Sequence, residues 1–166
     1  MGKKGEEATA LFYQGYNCSQ SVAGAFAEET GLSQQLLLRL SVGLGGGVGR
    51  LREVCGAFGG AVLVLGLLYG DGSPASKRTV YPIVQQLAAQ YRQANGGGSI
   101  VCRELLGLTR PEGSPVPEAR TPEYYKKRPC PALVGCAADL LADYIAQHPP
   151  RRDPPPEDGA AQTETP

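Results

Sequence analysis

Apolar residues recur along this chain at the three- and four-residue spacing of amphipathic helices, and no stretch alternates as a strand would. The clearest helical face consists of Val80, Ile83, Val84, Leu87, Ala88 and Tyr91. A second face follows Cys130 and consists of Leu133, Val134, Ala137, Leu140, Leu141, Tyr144 and Ile145. The pattern predicts an all-α fold, a single-domain bundle of about six helices.

Capping residues and glycines mark where further helices begin and end. These helices are predicted over 6–15, from Cys18 to about Glu29, over 34–42, and after Ser99 up to Gly107. Asn17 and Ser33 are suitable N-caps, and Gly31 is a suitable stop. The stretch from Pro111 to Pro122 is predicted to be a loop.

The longest apolar stretch runs from Val54 to Tyr69, which is short for a membrane span. We predict a buried central helix beginning near Arg52. The glycine-rich run over 43–49 before it is expected to be a loop, but it fits neither common nucleotide-binding glycine motif. Its glycines can leave backbone amides facing an anionic centre. The candidate cofactor-binding residues are Gly46, Gly47, Gly49 and Gly56.

The predicted domain covers residues 1–148, and the proline-rich residues 149–166 are expected to be a disordered tail. The chain has 16 basic and 16 acidic residues, so no strong charge favours a nucleic-acid partner. Lys3 and Lys4 are not followed by an apolar segment, so no secretory signal is visible. The expected location is therefore cytoplasmic, with no membrane span.

Four of the five cysteines are placed in the first turn of four different predicted helices: Cys18, Cys55, Cys102 and Cys130. A helix N-terminus favours a thiolate over a thiol, and redox chemistry and soft-metal binding both require thiolates. The basic residues flanking three of them, Arg50, Arg52, Arg103, Lys126, Lys127 and Arg128, are expected to lower the thiol pKa further. We predict that the four cysteines form one site.

Cys136 differs from these four. Its neighbours on the same helix face are Asp139 and Asp143, so it should lie off the core face with a raised pKa.

The segments around the four cysteines resemble a known family. They are Tyr16-Asn17-Cys18, Cys55 to Gly60 (which fits Cys-Gly-Ala-x-x-Gly), Cys102 to Gly107, and Cys130 to Val134. Their order is similar to that of the C_GCAxxG_C_C family of redox-active proteins, over most of residues 8–146. The resemblance implies that the four cysteines are shared and that Cys136 is an extra one. A similar segment in split-Soret cytochromes is associated with an iron–sulfur centre, but the haem motif C-x-x-C-H is absent here.

The favoured function is electron transfer by an iron–sulfur cluster of the 2Fe–2S type, with Cys18, Cys55, Cys102 and Cys130 as metal ligands and redox-active residues. Its redox partner protein is unknown. The first alternative is a thiol–disulfide module that uses two pairs among the same cysteines. The others are a Cys₄ zinc site and a plain helical interaction domain with structural cysteines.

Overall fold

The computed structural model describes residues 1–109 and 114–150, and this part of the protein folds into nine α-helices. They are α1 (Lys3–Tyr13), α2 (Cys18–Gly24), α3 (Ala27–Thr30), α4 (Gln34–Ser41), α5 (Gly56–Tyr69), α6 (Lys77–Ala94), α7 (Cys102–Leu105), α8 (Pro122–Lys127) and α9 (Cys130–Gln147), with a 3₁₀ turn, Val42–Leu44, after α4. These residues contain no strand, and a single isolated bridge pairs Val54 with Val101. The all-α prediction is confirmed, with more helices than expected.

One of the predicted helices is divided into two, α2 and α3, in the structure. The helix expected from Cys18 to about Glu29 starts where predicted, because the Asn17 side chain accepts hydrogen bonds from the amides of Ser19 and Gln20. It stops at Gly24, and α3 begins after Phe26, whose backbone has left the helical region (φ −108°, ψ 29°). Phe26 is fully buried. Packing of this ring into the core therefore overrides the local helical pattern.

α8 was not predicted, although its start carries a standard signal. Thr121 is the N-cap and its hydroxyl accepts from the amide of Tyr124, while Pro122 occupies the first helical position. A proline there loses no helical hydrogen bond. The described part of the predicted loop before it, residues 114–121, is irregular as expected.

The apolar helix α5 lies at the centre and packs against α2, α6 and α9, while α1 packs along α9. Its Ala57, Ala61, Val64 and Leu65 are fully buried, so the central-helix prediction is confirmed, although the helix starts at Gly56 rather than near Arg52. No helix in the two described ranges is both long and apolar enough to cross a bilayer.

The predicted core faces of the two longest helices are confirmed with one difference. The face of α9 is buried at most of the expected positions. In α6, Leu87, Ala88 and Tyr91 are buried, whereas the earlier members of the face, Val80 to Val84, are only half-buried or exposed. The core therefore contacts the second half of α6. Most of the expected tail, from residue 151 on, lies outside the described residues.

Candidate functional site

A cavity of about 270 Å³ is lined by Cys18, Cys55, Cys102 and Cys130 together. Cys55 and Cys102 are buried, at 4% and 7% exposure, and Cys18 and Cys130 are half-buried. Each comes from a different element, so helix packing rather than a local sequence clip brings them to one place. We call this space, with its lining, the cysteine cavity.

The predicted placement of the cysteines at helix starts is closely matched. Cys18, Cys102 and Cys130 are the first residues of α2, α7 and α9. Cys55 is the N-cap of α5 and so lies just before the first turn instead of within it. All four are therefore near the unpaired amides of a helix N-terminus.

The glycine loop, residues 43–53, borders the cavity before α5. Gly46, Gly47 and Gly49 have left-handed φ values of 65°, 71° and 55°, which glycine adopts without steric cost. The loop folds back on itself, since the amide of Gly49 donates to the Gly43 carbonyl at 2.8 Å. A Cβ on Gly47 would lie 2.6 Å from the Cβ of Cys102. The loop can therefore approach Cys102 this closely only because residue 47 is a glycine.

Three other residues of the glycine loop, Val48, Arg50 and Arg52, also have left-handed φ, at 61°, 70° and 62°. Such a conformation costs roughly 1–2 kcal/mol for a residue with a side chain. Backbone hydrogen bonds hold two of them in place, from Arg50 to Gly45 and from Arg52 to Gly46. Strain of this kind is typical of functional sites, and here it lies at the wall of the cysteine cavity.

The isolated bridge fixes the two buried cysteines relative to each other. The amide of Cys55 donates to the Ile100 carbonyl at 2.7 Å, and the amide of Cys102 donates to the Glu53 carbonyl at 2.6 Å. These bonds tie the chain entering α5 to the chain entering α7. Cys55 and Cys102 are thus held side by side by the backbone.

The four glycines predicted to bind a cofactor lie against the cavity or its cysteines. Gly46 and Gly49 line it, and the backbone of Gly46 hydrogen-bonds to Cys18. Gly47 touches Cys102, and a Cβ on Gly56 would be 2.5 Å from the Cys18 sulfur. Their role toward a cofactor stays a prediction.

The expectation that these thiols are acidic is wrong. Burial raises the pKa of Cys18 to about 12 and that of Cys130 to about 11, and it also raises the pKa of Cys102. The electrostatic interaction with Cys55 adds to the rise in the pKa of all three. Desolvation therefore outweighs the helix N-termini and the nearby cations, and these three thiols are neutral at pH 7.

Not all of the basic residues that flank the cysteines in the sequence lie near a cysteine sulfur in the structure. Arg52 hydrogen-bonds to Cys102 and Arg128 acts on both Cys102 and Cys130, which opposes the rise in their pKa. Arg103, in contrast, pairs with Glu53 at 3.0 Å on the surface. Lys126 and Lys127 are exposed. Arg103 follows Cys102 on the same helix and so points about 100° away from it. Lys126 and Lys127 belong to α8 rather than to the helix of Cys130.

Two residues near the cavity cysteines were not predicted as functional. The hydroxyl of Tyr91 lies 3.5 Å from both the Cys55 sulfur and the Leu133 carbonyl oxygen. Tyr91 was predicted only as a core residue. Its hydroxyl could have indicated a role at the site, because a buried tyrosine hydroxyl needs a hydrogen-bond partner. Arg120 lines the cavity from the segment before α8, and no local sequence signal marks it.

Cys136 does not line the cysteine cavity, but it packs against the core, contrary to the prediction that it lies off the core face. It is half-buried in α9, and burial together with the nearby Asp139 carboxylate raises its pKa. That carboxylate accepts hydrogen bonds from the amides of Gly2 and Gly5, both at 2.7 Å. Cys136 therefore belongs to the contact between α9 and α1.

The cysteines are free thiols in the described residues, with no disulfide among them. In residues 1–109 and 114–150, no three side chains of His, Cys, Asp or Glu are arranged to hold a single metal ion. Four cysteines of the described part of the chain therefore line one cavity without forming a preformed single-ion site.

Comparison with known proteins identifies the family. The family described as "Putative redox-active protein (C_GCAxxG_C_C)" has a model that matches residues 16–144, a range that includes all four cavity cysteines. No curated protein and no solved structure matches the chain. The likeness to split-Soret cytochromes stays a prediction. Because the match covers most of the chain and includes the residues that line the cavity, the protein belongs to the C_GCAxxG_C_C family of redox-active proteins.

Proposed function

We propose that Cys18, Cys55, Cys102 and Cys130 bind an iron–sulfur cluster of the 2Fe–2S type and that the protein transfers electrons between redox partners. The observation that carries the proposal is the convergence of four cysteines from four helix starts on one cavity of about 270 Å³. Four thiolates around a compact, partly dry space are what a two-iron cluster requires. Such a cluster, when bound, accepts and releases one electron at a time.

The absence of a preformed single-ion group among the described residues supports a cluster over a zinc ion. A Cys₄ zinc site holds every sulfur about 2.3 Å from one ion, so at least three of them would form a recognisable single-ion group. The described residues contain no such group. A two-iron cluster instead takes two cysteines on each iron, and its sulfur ligands stand farther apart. The four cysteines that line the cavity would supply these four ligands.

The protonation of Cys18 and Cys130 disfavours a thiol–disulfide module in which either thiol attacks, and it is compatible with a cluster. A disulfide exchange step needs a thiolate as the attacking group. The pKa of Cys18 is raised to about 12 and that of Cys130 to about 11, so both are poor nucleophiles at neutral pH. Metal binding removes the thiol proton directly, at the cost of releasing it to solvent. Raised pKa values are therefore compatible with ligand cysteines.

Each cavity cysteine has a neighbour that can stabilise negative charge on its sulfur. The pairs are Cys18 with the Gly46 backbone, Cys55 with the Tyr91 hydroxyl, Cys102 with the Arg52 guanidinium, and Cys130 with Arg128. Hydrogen bonds and positive charge near ligand sulfurs raise the reduction potential of a cluster. In this site they would also offset the desolvation that opposes thiolate formation.

Anaerobic reconstitution of the full chain with iron and sulfide tests the proposal. We expect about two iron and two sulfide ions per chain, with visible absorption that bleaches on reduction. Folded protein that takes up neither ion would contradict the proposal. A thiol count that then changed between oxidised and reduced samples would support the disulfide module, and zinc bound without sulfide would support the structural zinc site.

A further inference from the structure

Arg120 is held rigidly at the wall of the cysteine cavity, although it lies outside all four cysteine segments. Its guanidinium carbon is 4.4 Å from the centre of the Phe12 ring and 4.7 Å from that of the Tyr124 ring. Its Nη2 atom donates to the Tyr16 carbonyl at 3.2 Å. Contacts with α1, α8 and the chain entering α2 thus fix both the position and the orientation of this cation.

The other amino group of Arg120, Nη1, is buried and has no hydrogen-bond partner within the described residues. A buried donor of a charged group without an acceptor is costly. The Glu118 carboxylate, which also lines the cavity, pairs with Arg50 and Arg128 and does not accept from Nη1. An acceptor brought by the occupant of the cavity would satisfy Nη1.

We propose that Arg120 is a cofactor-binding residue whose Nη1 donates a hydrogen bond to the anionic sulfur centre in the cysteine cavity. This inference rests on the proposed function. Two ferric irons, two sulfides and four thiolates together carry a charge of about −2, and reduction by one electron makes it about −3. A fixed cation in the wall stabilises both states, and the reduced state more strongly.

Arg120 also links the centre to the first cysteine. Through its bond to the Tyr16 carbonyl it holds the segment that enters α2, whose first residue is Cys18. It further opposes the rise in the pKa of Cys130. The same side chain therefore acts near cysteines from two different helices.

The test compares Arg120→Met and Arg120→Lys with the control Arg103→Met in the full chain. Arg103 is a suitable control because it directly follows Cys102 in the chain but pairs with Glu53 on the surface. The first measurement is the midpoint potential of the reconstituted protein. We expect a more negative potential for Arg120→Met, a smaller shift for Arg120→Lys, which keeps the charge but loses the planar fork, and no shift for the control.

The second measurement uses reduced protein freed of iron by chelation and follows alkylation of Cys130 by mass spectrometry. We expect Arg120→Met to slow this reaction up to about tenfold, because one positive charge near the thiolate is lost. Wild-type protein that binds no iron or sulfide would overturn the proposed function and, with it, this inference.

Potential and alkylation rate both equal to those of the control would overturn the inference. Circular dichroism verifies that each variant folds. Should Arg120→Met fail to fold, Arg120→Lys decides: a potential identical to that of wild type overturns the inference, and a negative shift supports it.

Discussion

Cys130 and Cys136 lie six residues apart on α9 and show how position within the bundle changes the chemistry of one residue type. Cys130 begins the helix, lines the cysteine cavity and is close enough to Cys55 and Cys102 for their charges to raise its pKa. Cys136 lies off the cavity, next to Asp139. Because a helix turns about 100° per residue, the two sulfurs face different neighbours. A cysteine contributes to the site only where its helix presents it to the cavity.

The largest expected effect comes from removing each of these two sulfurs. Cys130→Ala should lower iron and sulfide content at least about tenfold, because loss of a ligand exceeds the effect of losing an outer-shell partner. Cys136→Ala should keep the wild-type content. Iron and sulfide assays on reconstituted protein provide the measurement. Equal loss in both variants would remove the distinction between the two cysteines.

The same contrast can be drawn on α5 with two glycines. A Cβ on Gly56 would lie 2.5 Å from the Cys18 sulfur and 2.9 Å from the Leu44 carbonyl oxygen, whereas a Cβ on Gly66 would meet nothing within 4 Å. Gly56→Ala should destabilise the protein by about 1–3 kcal/mol through overpacking. Gly66→Ala should stabilise it by up to about 1 kcal/mol, because alanine is the better helix former. Urea unfolding measures both changes.

Because α5 approaches Cys18 this closely at Gly56, the Gly56→Ala variant should also bind less iron. Wild-type stability and iron content in that variant would show that the helix does not press against the first cysteine.

The pH dependence of the free energy of unfolding should also differ between variants of Cys130 and Cys136. The pKa of Cys130 is raised to about 11 from its ordinary value of 9.0, so the folded state keeps this proton to a higher pH than the unfolded chain does. The free energy of unfolding of the reduced, iron-free protein is therefore unaffected below about pH 9 and should fall between pH 9 and 11.

Cys130→Ala should reduce this loss of stability more than Cys136→Ala does, because the Cys130 thiol lies in the cysteine cavity near Cys55 and Cys102. Denaturant unfolding from pH 7 to pH 11 measures the difference. Parallel curves for the two variants would contradict the burial of the Cys130 thiol.

The smallest effect is expected from two tyrosines of α6. Tyr91 is fully buried with its hydroxyl near the Cys55 sulfur, and Tyr81 is 62% exposed. Tyr91→Phe should cost about 1 kcal/mol through the lost hydrogen bonds. Tyr81→Phe should change the free energy of unfolding by less than about 0.5 kcal/mol. In reconstituted protein, a more negative midpoint potential in Tyr91→Phe alone would show that its hydroxyl acts on the sulfur centre.

The local features of this fold could be predicted from sequence because they depend on near neighbours. Asn17 predicted the start of α2 through its capping side chain, and Gly31 predicted the end of α3, where it is left-handed. The helix pattern also placed Cys136 beside Asp139, although Cys136 is half-buried and packs against the core. Each of these depends on residues within one or two turns.

Features that depend on distant residues could not be predicted. The break between α2 and α3 follows from burial of Phe26, and the raised pKa values follow from desolvation that only the assembled bundle produces. Arg120 reaches the cavity through contacts with Phe12 and Tyr16, more than a hundred residues earlier in the chain. No local spacing rule includes such a contact.

Iron K-edge X-ray absorption on anaerobically reconstituted protein tests the central claim most directly, since it reports the atoms bound to iron. We predict a first shell of sulfur alone at both irons, with a second iron nearby, and the same spectrum in Cys136→Ala. A first shell containing oxygen or nitrogen, or no iron neighbour at all, would contradict the claim that four cysteines hold one cluster.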